Sequence, residues 1–488
     1  MGMVVLVMYG LLLGFILLFS LGQLHLTVAY LRQKARPAEP EPPLPQVLPM
    51  VTVQLPVFNE RHVVERLIDR VCAFDWPLDR LEVQVLDDSD DETVGLAAAR
   101  CALWRERGVD IVHLRRGERT GYKAGALAFG TARAKGELIA IFDADFLPDA
   151  DFLRRTVPWF ADPGIGMVQT RWGHLNREGN LLTRLQAFGL DAHFSVEQVG
   201  RNALGHFINF NGTGGVWRKR CIEVAGGWRP DSLTEDLDLS YRAQLAGWRF
   251  RYLEQVVCPA ELPAEMNALK AQQRRWNKGA AECVRLDLGS VLRHPRLSLG
   301  TKVHAVLHLM NSTVFLAVIG LVLLSGPVLW LKHRHPELQA LFQAALVFTF
   351  SLLVLAVYYA VAQRNSTRMP WRTFAWQFPL FLALSMGLSL HNALAVAEGY
   401  LGIRSGFVRT PKLGLVGKAD GLHGDRYLRT RGGPLLWFEG LLFLYAVAAL
   451  WAGWLLRDGG LWLFHGMLAL GFGAVFSLSL LHSMRLSR

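Results

Sequence analysis

The sequence predicts an α/β domain with a mostly parallel sheet, joined to helical membrane spans. Three observations carry that expectation. Hydrophobicity is unevenly spread over the 488 residues, short branched apolar runs alternate with helix-like segments from residue 50, and acidic motifs fall where those runs end. Alternation of this kind gives a parallel sheet covered by helices on both faces, and ligands of such sheets bind beyond the carboxyl ends of the strands.

The first element is apolar. Residues 3–31 contain no Asp, Glu, Lys or Arg, and a bilayer-spanning helix needs about 20 such residues. The run has no basic segment before it and exceeds the roughly 7–15 residues of a signal-peptide core, so residues 1–34 read as a retained anchor. Its basic flank, Arg32, Lys34 and Arg36, follows it, which places residue 1 outside and the next domain in the cytosol. Residues 35–49 are rich in proline, cannot propagate a helix and form a linker.

Within residues 50–285, Val51–Leu55, Glu82–Leu86, Asp110–Leu114 and Leu138–Phe142 read as buried strands, and 60–73, 92–107 and 122–134 as the helices between them. Residues 286–488 form a second, membrane domain, with spans at about 304–331, 340–362, 434–456 and 460–484. A further apolar segment, 374–401, ends with His391, Asn392 and Glu398, unusual for a lipid-facing helix. The polar loop after it, 402–432, carries Arg404, Arg409, Lys412, Lys418, Arg426, Arg429 and Arg431. If 374–401 crosses, that loop faces outward against the charge rule; if it lies in the interface, every strongly basic loop is cytosolic. The expectation is therefore five spans plus one interfacial helix.

The net charge of +11 gathers at membrane edges: Arg285, Arg293, Arg296 and Lys302 before one apolar run, Arg364, Arg368 and Arg372 after another. Anionic lipid headgroups account for that pattern, and no nucleic-acid partner is expected. Five scattered cysteines without C-x-x-C spacing suggest neither a disulfide framework nor a zinc knuckle.

The chemistry-bearing motifs follow in order. In Gln54-Leu-Pro56-Val-Phe-Asn59-Glu60, proline ends strand pairing and Glu60 reads as a carboxylate opening the next helix. Asp87-Asp88-Ser89 could hold a ribose or base, or simply make a turn. Gly121-Tyr-Lys123-Ala-Gly125 starts a helix with a lysine beside exposed backbone N–H groups, which could meet a diphosphate or be an ordinary glycine-rich helix start. Asp143-Ala-Asp145 places two carboxylates at i and i+2, on one side of an extended strand; two like charges so close call for a cation, and Mg2+ or Mn2+ shared with phosphate oxygens fits, against the bland reading of a solvated loop. Thr234-Glu235-Asp236 begins a helix, where Asp236 can be a dipole partner or a general base. Gln272, Arg275 and Trp276, late in a helical stretch, share one helix face. They offer an amide, a phosphate-binding guanidinium and an indole that stacks on a sugar, or else a membrane-edge anchor.

Taken together, these motifs and Phe210-Asn-Gly-Thr-Gly-Gly-Val-Trp-Arg218 resemble the processive family 2 glycosyltransferases of the cellulose-synthase superfamily, nearest its mannan and glucomannan synthase-like branch. The resemblance implies an inverting GT-A domain that moves hexose from a nucleotide diphosphate sugar, UDP-glucose or GDP-mannose, to a growing β-glycan acceptor and feeds the chain across the membrane. It implies Asp236 as catalytic base and Pro56, Glu60, Asp88, Lys123, Asp143, Gln272 and Arg275 around the donor. Asn211, Gly212, Thr213, Glu235 and Trp276 would hold the acceptor, with Asp143 and Asp145 on the metal. Phe407-Val-Arg409-Thr410-Pro-Lys412 is similar to the family's F-x-V-T-x-K gating loop at Phe407, Thr410 and Lys412, but Arg409 stands where the pattern has valine. A non-processive enzyme that adds one sugar to a lipid is the rival reading, and a transporter without catalysis would leave the acid motifs unused.

Overall fold

A computed structural model describes residues 2–417 and 433–485. Lys418, Arg426, Arg429 and Arg431, with the rest of the expected gating segment from 418 to 432, lie outside the described residues.

Among the described residues, seven strands form one sheet: β1 (Val51–Val57), β2 (Leu81–Asp87), β3 (Asp110–Arg115), β4 (Leu138–Ile141), β5 (Ile165–His174), β6 (Gly215–Arg218) and β7 (Arg249–Ala260). Their order is β3-β2-β1-β4-β6-β5-β7. Pairing is parallel from β3 through β4 and between β5 and β7, whereas β6 runs antiparallel to both its neighbours. The expected parallel sheet is thus present in the first half and becomes mixed in the second. Gly212 and Gly214, both with positive φ, turn the chain back into β6.

Apolar side chains alternate along β4: Leu138, Ala140 and Phe142 pack beneath the helices Val64–Cys72 and Thr93–Glu106, while Ile139 and Ile141 face Tyr122–Thr131 and Glu235–Leu245. The second face of β1 and β2 is polar yet buried. Register pairs Thr52 with Glu82 and Gln54 with Gln84; the Thr52 hydroxyl donates to Glu82 at 2.6 Å and the Gln54 amide to Gln84 at 3.1 Å.

Three local readings change. The first helix begins at Val64, so Glu60 does not open it but lies in the preceding turn, buried. β4 stops at Ile141, and Asp143 and Asp145 occupy a turn closed by the Phe146 N–H donating to the Asp143 carbonyl at 3.0 Å. They are therefore not held parallel by a strand, and they point to different partners. Gln272–Trp276 sits early, not late, in the long helix Met266–Arg293.

Among the described residues, five helices are long and apolar enough to cross a membrane: Gly2–Lys34, Asn311–Arg334, Pro336–Ser366, Leu435–Leu455 and Trp462–His482. Large apolar side chains such as Leu11, Leu353, Phe438 and Trp451 stand exposed on them, as lipid-facing residues do. These helices are consistent with a multi-pass membrane protein. The expected span at 304–331 is divided: Leu299–Leu309 is a separate helix, followed by a tight turn over Asn311–Thr313 and then Val314–Arg334. The helix Leu299–Leu309 docks on the α/β domain, where His308 meets the Tyr241 hydroxyl at 3.0 Å. The segment 374–401 is also two helices, Trp371–Gly387 and Ser389–Leu401, bent by 49°. The second packs along Met266–Arg293, where Glu398 accepts from Arg274. Deeper among the spans, Lys270 on the same helix bonds Glu439 at 2.7 Å and Ser479 at 2.8 Å.

Candidate active site

The carboxyl ends of β1, β2, β4 and β7, the starts of the helices at Tyr122 and Glu235, the Gln272–Trp276 face and the segment after residue 403 surround one pocket. Lys123 stands at its centre. Its ammonium meets Asp143 at 2.6 Å, donates to the Gly212 carbonyl at 2.9 Å and lies 3.8 Å from Glu235. Burial alone would lower its pKa, but Asp143, Glu235 and Asp236 outweigh that and hold it charged.

Asp236 opens the helix Glu235–Leu245 beside Gly212. Its carboxylate accepts from the Leu237 N–H at 2.9 Å, which fixes its orientation at the helix start. Burial, reinforced by the neighbouring Glu235, pushes the Asp236 carboxyl well above the usual carboxylate range. Gln272, Arg275 and Trp276 line the same pocket from one helix face, while Arg274 between them points away to Glu398.

The acid pair is served unequally. Asp143 faces the pocket beside Lys123, whereas Asp145 is 1% exposed and meets Lys412 at 2.7 Å. The other Asp145 oxygen, Oδ1, is buried without a hydrogen-bond partner. Among the described residues no group of three or more His, Cys, Asp or Glu side chains is placed to hold a metal ion. An unpartnered buried carboxylate oxygen next to a second, pocket-facing carboxylate fits a divalent cation only if phosphate oxygens complete its shell.

The segment 403–417 covers the pocket. Phe407 stacks on Tyr122 with ring centroids 5.7 Å apart and lies 4.8 Å from the Arg275 guanidinium. Thr410 is buried, and Arg409 pairs with Glu60 at 2.9 Å. The Glu261 carboxylate accepts from the N–H groups of Leu413, Gly414 and Leu415 at 3.1, 2.8 and 3.2 Å. Burial pushes Glu60 up to about 8 despite Arg409 and Lys412.

Residues 49–279 match the family model described as glycosyltransferase like family 2. The chain carries a family 2 glycosyltransferase domain. It is 44% identical over 263 residues to glucomannan 4-beta-mannosyltransferase 1 of Oryza sativa subsp. japonica, covering 53% of this chain and 50% of that protein. To glucomannan 4-beta-mannosyltransferase 2 of Arabidopsis thaliana it is 43% identical over 263 residues, 53% of this chain and 49% of the relative. The chain spans about half the length of the curated relatives it matches. A solved mannosyltransferase of Pyrobaculum calidifontis, in complex with GDP-Man and Mn2+, superposes with a TM-score of 0.52 at 22% identity, over 74% of this chain and 100% of that one. That likeness gives the fold: the mixed sheet of this glycosyltransferase domain is GT-A-like.

All the residues expected from sequence to touch donor, acceptor or metal line the pocket except Thr213, which is buried behind it and whose hydroxyl oxygen accepts from the Asp143 N–H at 2.9 Å. Asp88 lines the wall, but its carboxylate is already gripped by Arg116, Nε to Oδ1 at 2.9 Å. Sequence reasoning missed Arg116, Arg119, Trp172 and Glu261. Arg119 lies 3.3 Å from the Phe58 ring centroid, and Trp172 lies 6.3 Å from Trp276, ring centre to ring centre. Each sits at or just beyond the carboxyl end of β3, β5 or β7, the position that drew attention to Asp88 and Asp143.

Proposed function

We infer that the protein is a membrane-embedded inverting glycosyltransferase that transfers a hexose from a nucleotide diphosphate sugar to a growing β-glycan and passes the product into its membrane domain. The observation that carries this reading is the meeting of Asp236, Lys123, Asp143, Arg275 and Trp276 around a single pocket. The similar proteins are named as mannosyltransferases, which favours a mannosyl donor, with UDP-glucose as the competing choice.

In this reading an acceptor hydroxyl attacks the anomeric carbon, the bond from that carbon to the diphosphate oxygen breaks, and Asp236 takes the hydroxyl proton. Asp236 suits that role because burial and Glu235 raise its proton affinity. Lys123 and Arg275 stand where negative charge collects on the departing nucleotide diphosphate, and Trp276 offers its indole face to the acceptor sugar. Pro56, Glu60, Asp88 and Gln272 complete the donor wall, and Asn211, Gly212, Thr213 and Glu235 the acceptor side. Asp143 and Asp145 would hold Mg2+ or Mn2+, which when bound neutralises the diphosphate as leaving group. Phe407, Thr410 and Lys412 gate the pocket. The catalytic domain faces the cytosol, as the basic flank Arg32, Lys34 and Arg36 directs.

Release of GDP or UDP from a panel of nucleotide sugars by the purified full chain with Mn2+ or Mg2+, with sizing of the sugar product, tests the reading. A polymer from one donor is expected. A single-sugar lipid adduct would replace the polymer with a glycolipid product, and no release from any donor in the presence of oligosaccharide acceptors would overturn the assignment.

A further inference from the structure

One buried polar cluster outside the motifs centres on Glu197. Between the helices Leu181–Ala192 and Gln198–Ala203 the chain makes a π-helical turn, His193–Glu197, a distortion that often marks functional positions. Glu197 is buried, and both of its oxygens are engaged. Oε2 meets His193 Nδ1 at 2.9 Å and Arg201 at 3.2 Å; Oε1 accepts from Gln23 at 2.9 Å and from the Tyr358 hydroxyl at 3.1 Å. Burial pushes this carboxyl up, but Arg201 and the hydrogen-bonded His193 outweigh it, and the group is held ionised well below its ordinary range.

An ionised Glu197 fixes the imidazole tautomer. With Nδ1–H donating to the carboxylate, Nε2 is left as an acceptor, and it lies 3.0 Å from the Asn211 side-chain nitrogen. The Asn211 side-chain oxygen in turn accepts from Gln198 at 2.7 Å, and its backbone N–H donates to Gln169 at 3.0 Å. Asn211 thus has one permitted orientation on the pocket wall. The next residue, Gly212, presents its carbonyl to Lys123, which holds Asp143. A continuous line of contacts runs from Gln23 and Tyr358, on two apolar helices, through Glu197 and His193 to the turn that faces Asp236.

We propose that His193, braced by Glu197, is a positioning residue that sets Asn211 and the Gly212 turn for the acceptor, and so ties acceptor alignment to the membrane helices carrying Gln23 and Tyr358. The proposal rests on the glycosyltransferase reading above for the identity of the acceptor. The contact itself does not.

The test uses the full chain in nanodiscs with two readouts. Hydrogen exchange over residues 209–214 reports the turn whether or not sugar is transferred, and steady-state kinetics separate acceptor from donor. In His193→Ala, exchange over 209–214 speeds up, and kcat/KM for the acceptor falls about tenfold while donor KM holds. His193→Gln, whose amide oxygen can still accept from Asn211, restores both. Asn211→Ala reproduces the loss, and the double variant is no worse than Asn211→Ala alone. Unchanged exchange in a folded His193→Ala, or losses that add in the double variant, overturns the proposal. Should His193→Ala fail to fold, the comparison of His193→Gln with Asn211→Ala decides it by the same criteria. A wild-type protein that releases no nucleotide overturns the enzymatic reading instead, and exchange still decides the contact.

Discussion

A single methyl group added at Gly212 tests whether this turn and Asp236 form one catalytic unit. Gly212 has φ +80°, a conformation that costs an alanine about 1–2 kcal/mol. The new Cβ would lie 3.1 Å from Asp236 Oδ2 and 3.3 Å from Lys123 Nζ, closer than ordinary van der Waals contact. Either the carboxylate or the ammonium must move by a few tenths of an ångström. Gly214 supplies the control: its φ is +65°, but a methyl there would meet Cys258 Cβ and Thr170 Oγ1 at 3.5 Å, ordinary distances remote from the base. Both variants should therefore lose stability by a similar amount, about 1–2 kcal/mol in a melting experiment. Only Gly212→Ala should also lose kcat, by about 10- to 100-fold, because displacement of a positioned base acts on the transition state. The assay is release of nucleotide at saturating donor and acceptor, alongside thermal melts of both proteins. Equal kcat in the two variants would refute the claim that the Gly212 turn constrains Asp236.

Further outcomes follow from the same geometry. Asp236→Asn should cut transfer roughly 100- to 10,000-fold with donor affinity retained, and wild-type turnover in that variant removes Asp236 as base. A base must be deprotonated, and the Asp236 carboxyl is raised; activity is accordingly present above the raised pKa and lost as pH falls through it. The acid limb of kcat/KM then lies well above the ~3.9 of a free aspartate, and a limb at the unperturbed position contradicts the burial argument. Asp145→Ala should weaken the dependence of donor KM on Mn2+ or Mg2+, whereas an unchanged metal titration takes Asp145 out of the metal site. Lys412→Ala breaks a buried ion pair whose loss costs about 3 kcal/mol; protease cleavage or hydrogen exchange within 403–417 should increase, and protection equal to wild type would show that Lys412 does not hold that segment down.

How far sequence carried the site depends on what positions each residue. Lys123, Asp236 and Gln272–Trp276 were legible because each sits at the start or on one face of a helix, where spacing alone fixes direction. Asp143 and Asp145 were legible as chemistry but not as geometry. The strand that should have aligned them ends at Ile141, two residues before Asp143, and tertiary partners, Lys123 for one and Lys412 for the other, decide where each points. Glu60 shows the same limit more sharply. Read locally it caps a helix, yet it is buried under Arg409, 349 residues away in the chain if counted along the sequence from one number to the other. Arg409 is the residue at which the gating pattern departs from the family, and Glu60 is what that departure meets. Where the pattern has valine, Arg409 thus sets its guanidinium 2.9 Å from Glu60, and the covering segment is held at three points: Arg409 to Glu60, Lys412 to Asp145, and backbone N–H groups to Glu261. A donor bringing its own negative diphosphate and a cation competes for all three. Opening of this segment should therefore respond to donor and metal together rather than to either alone, a coupling that follows from the acids it occupies and that no single motif could disclose.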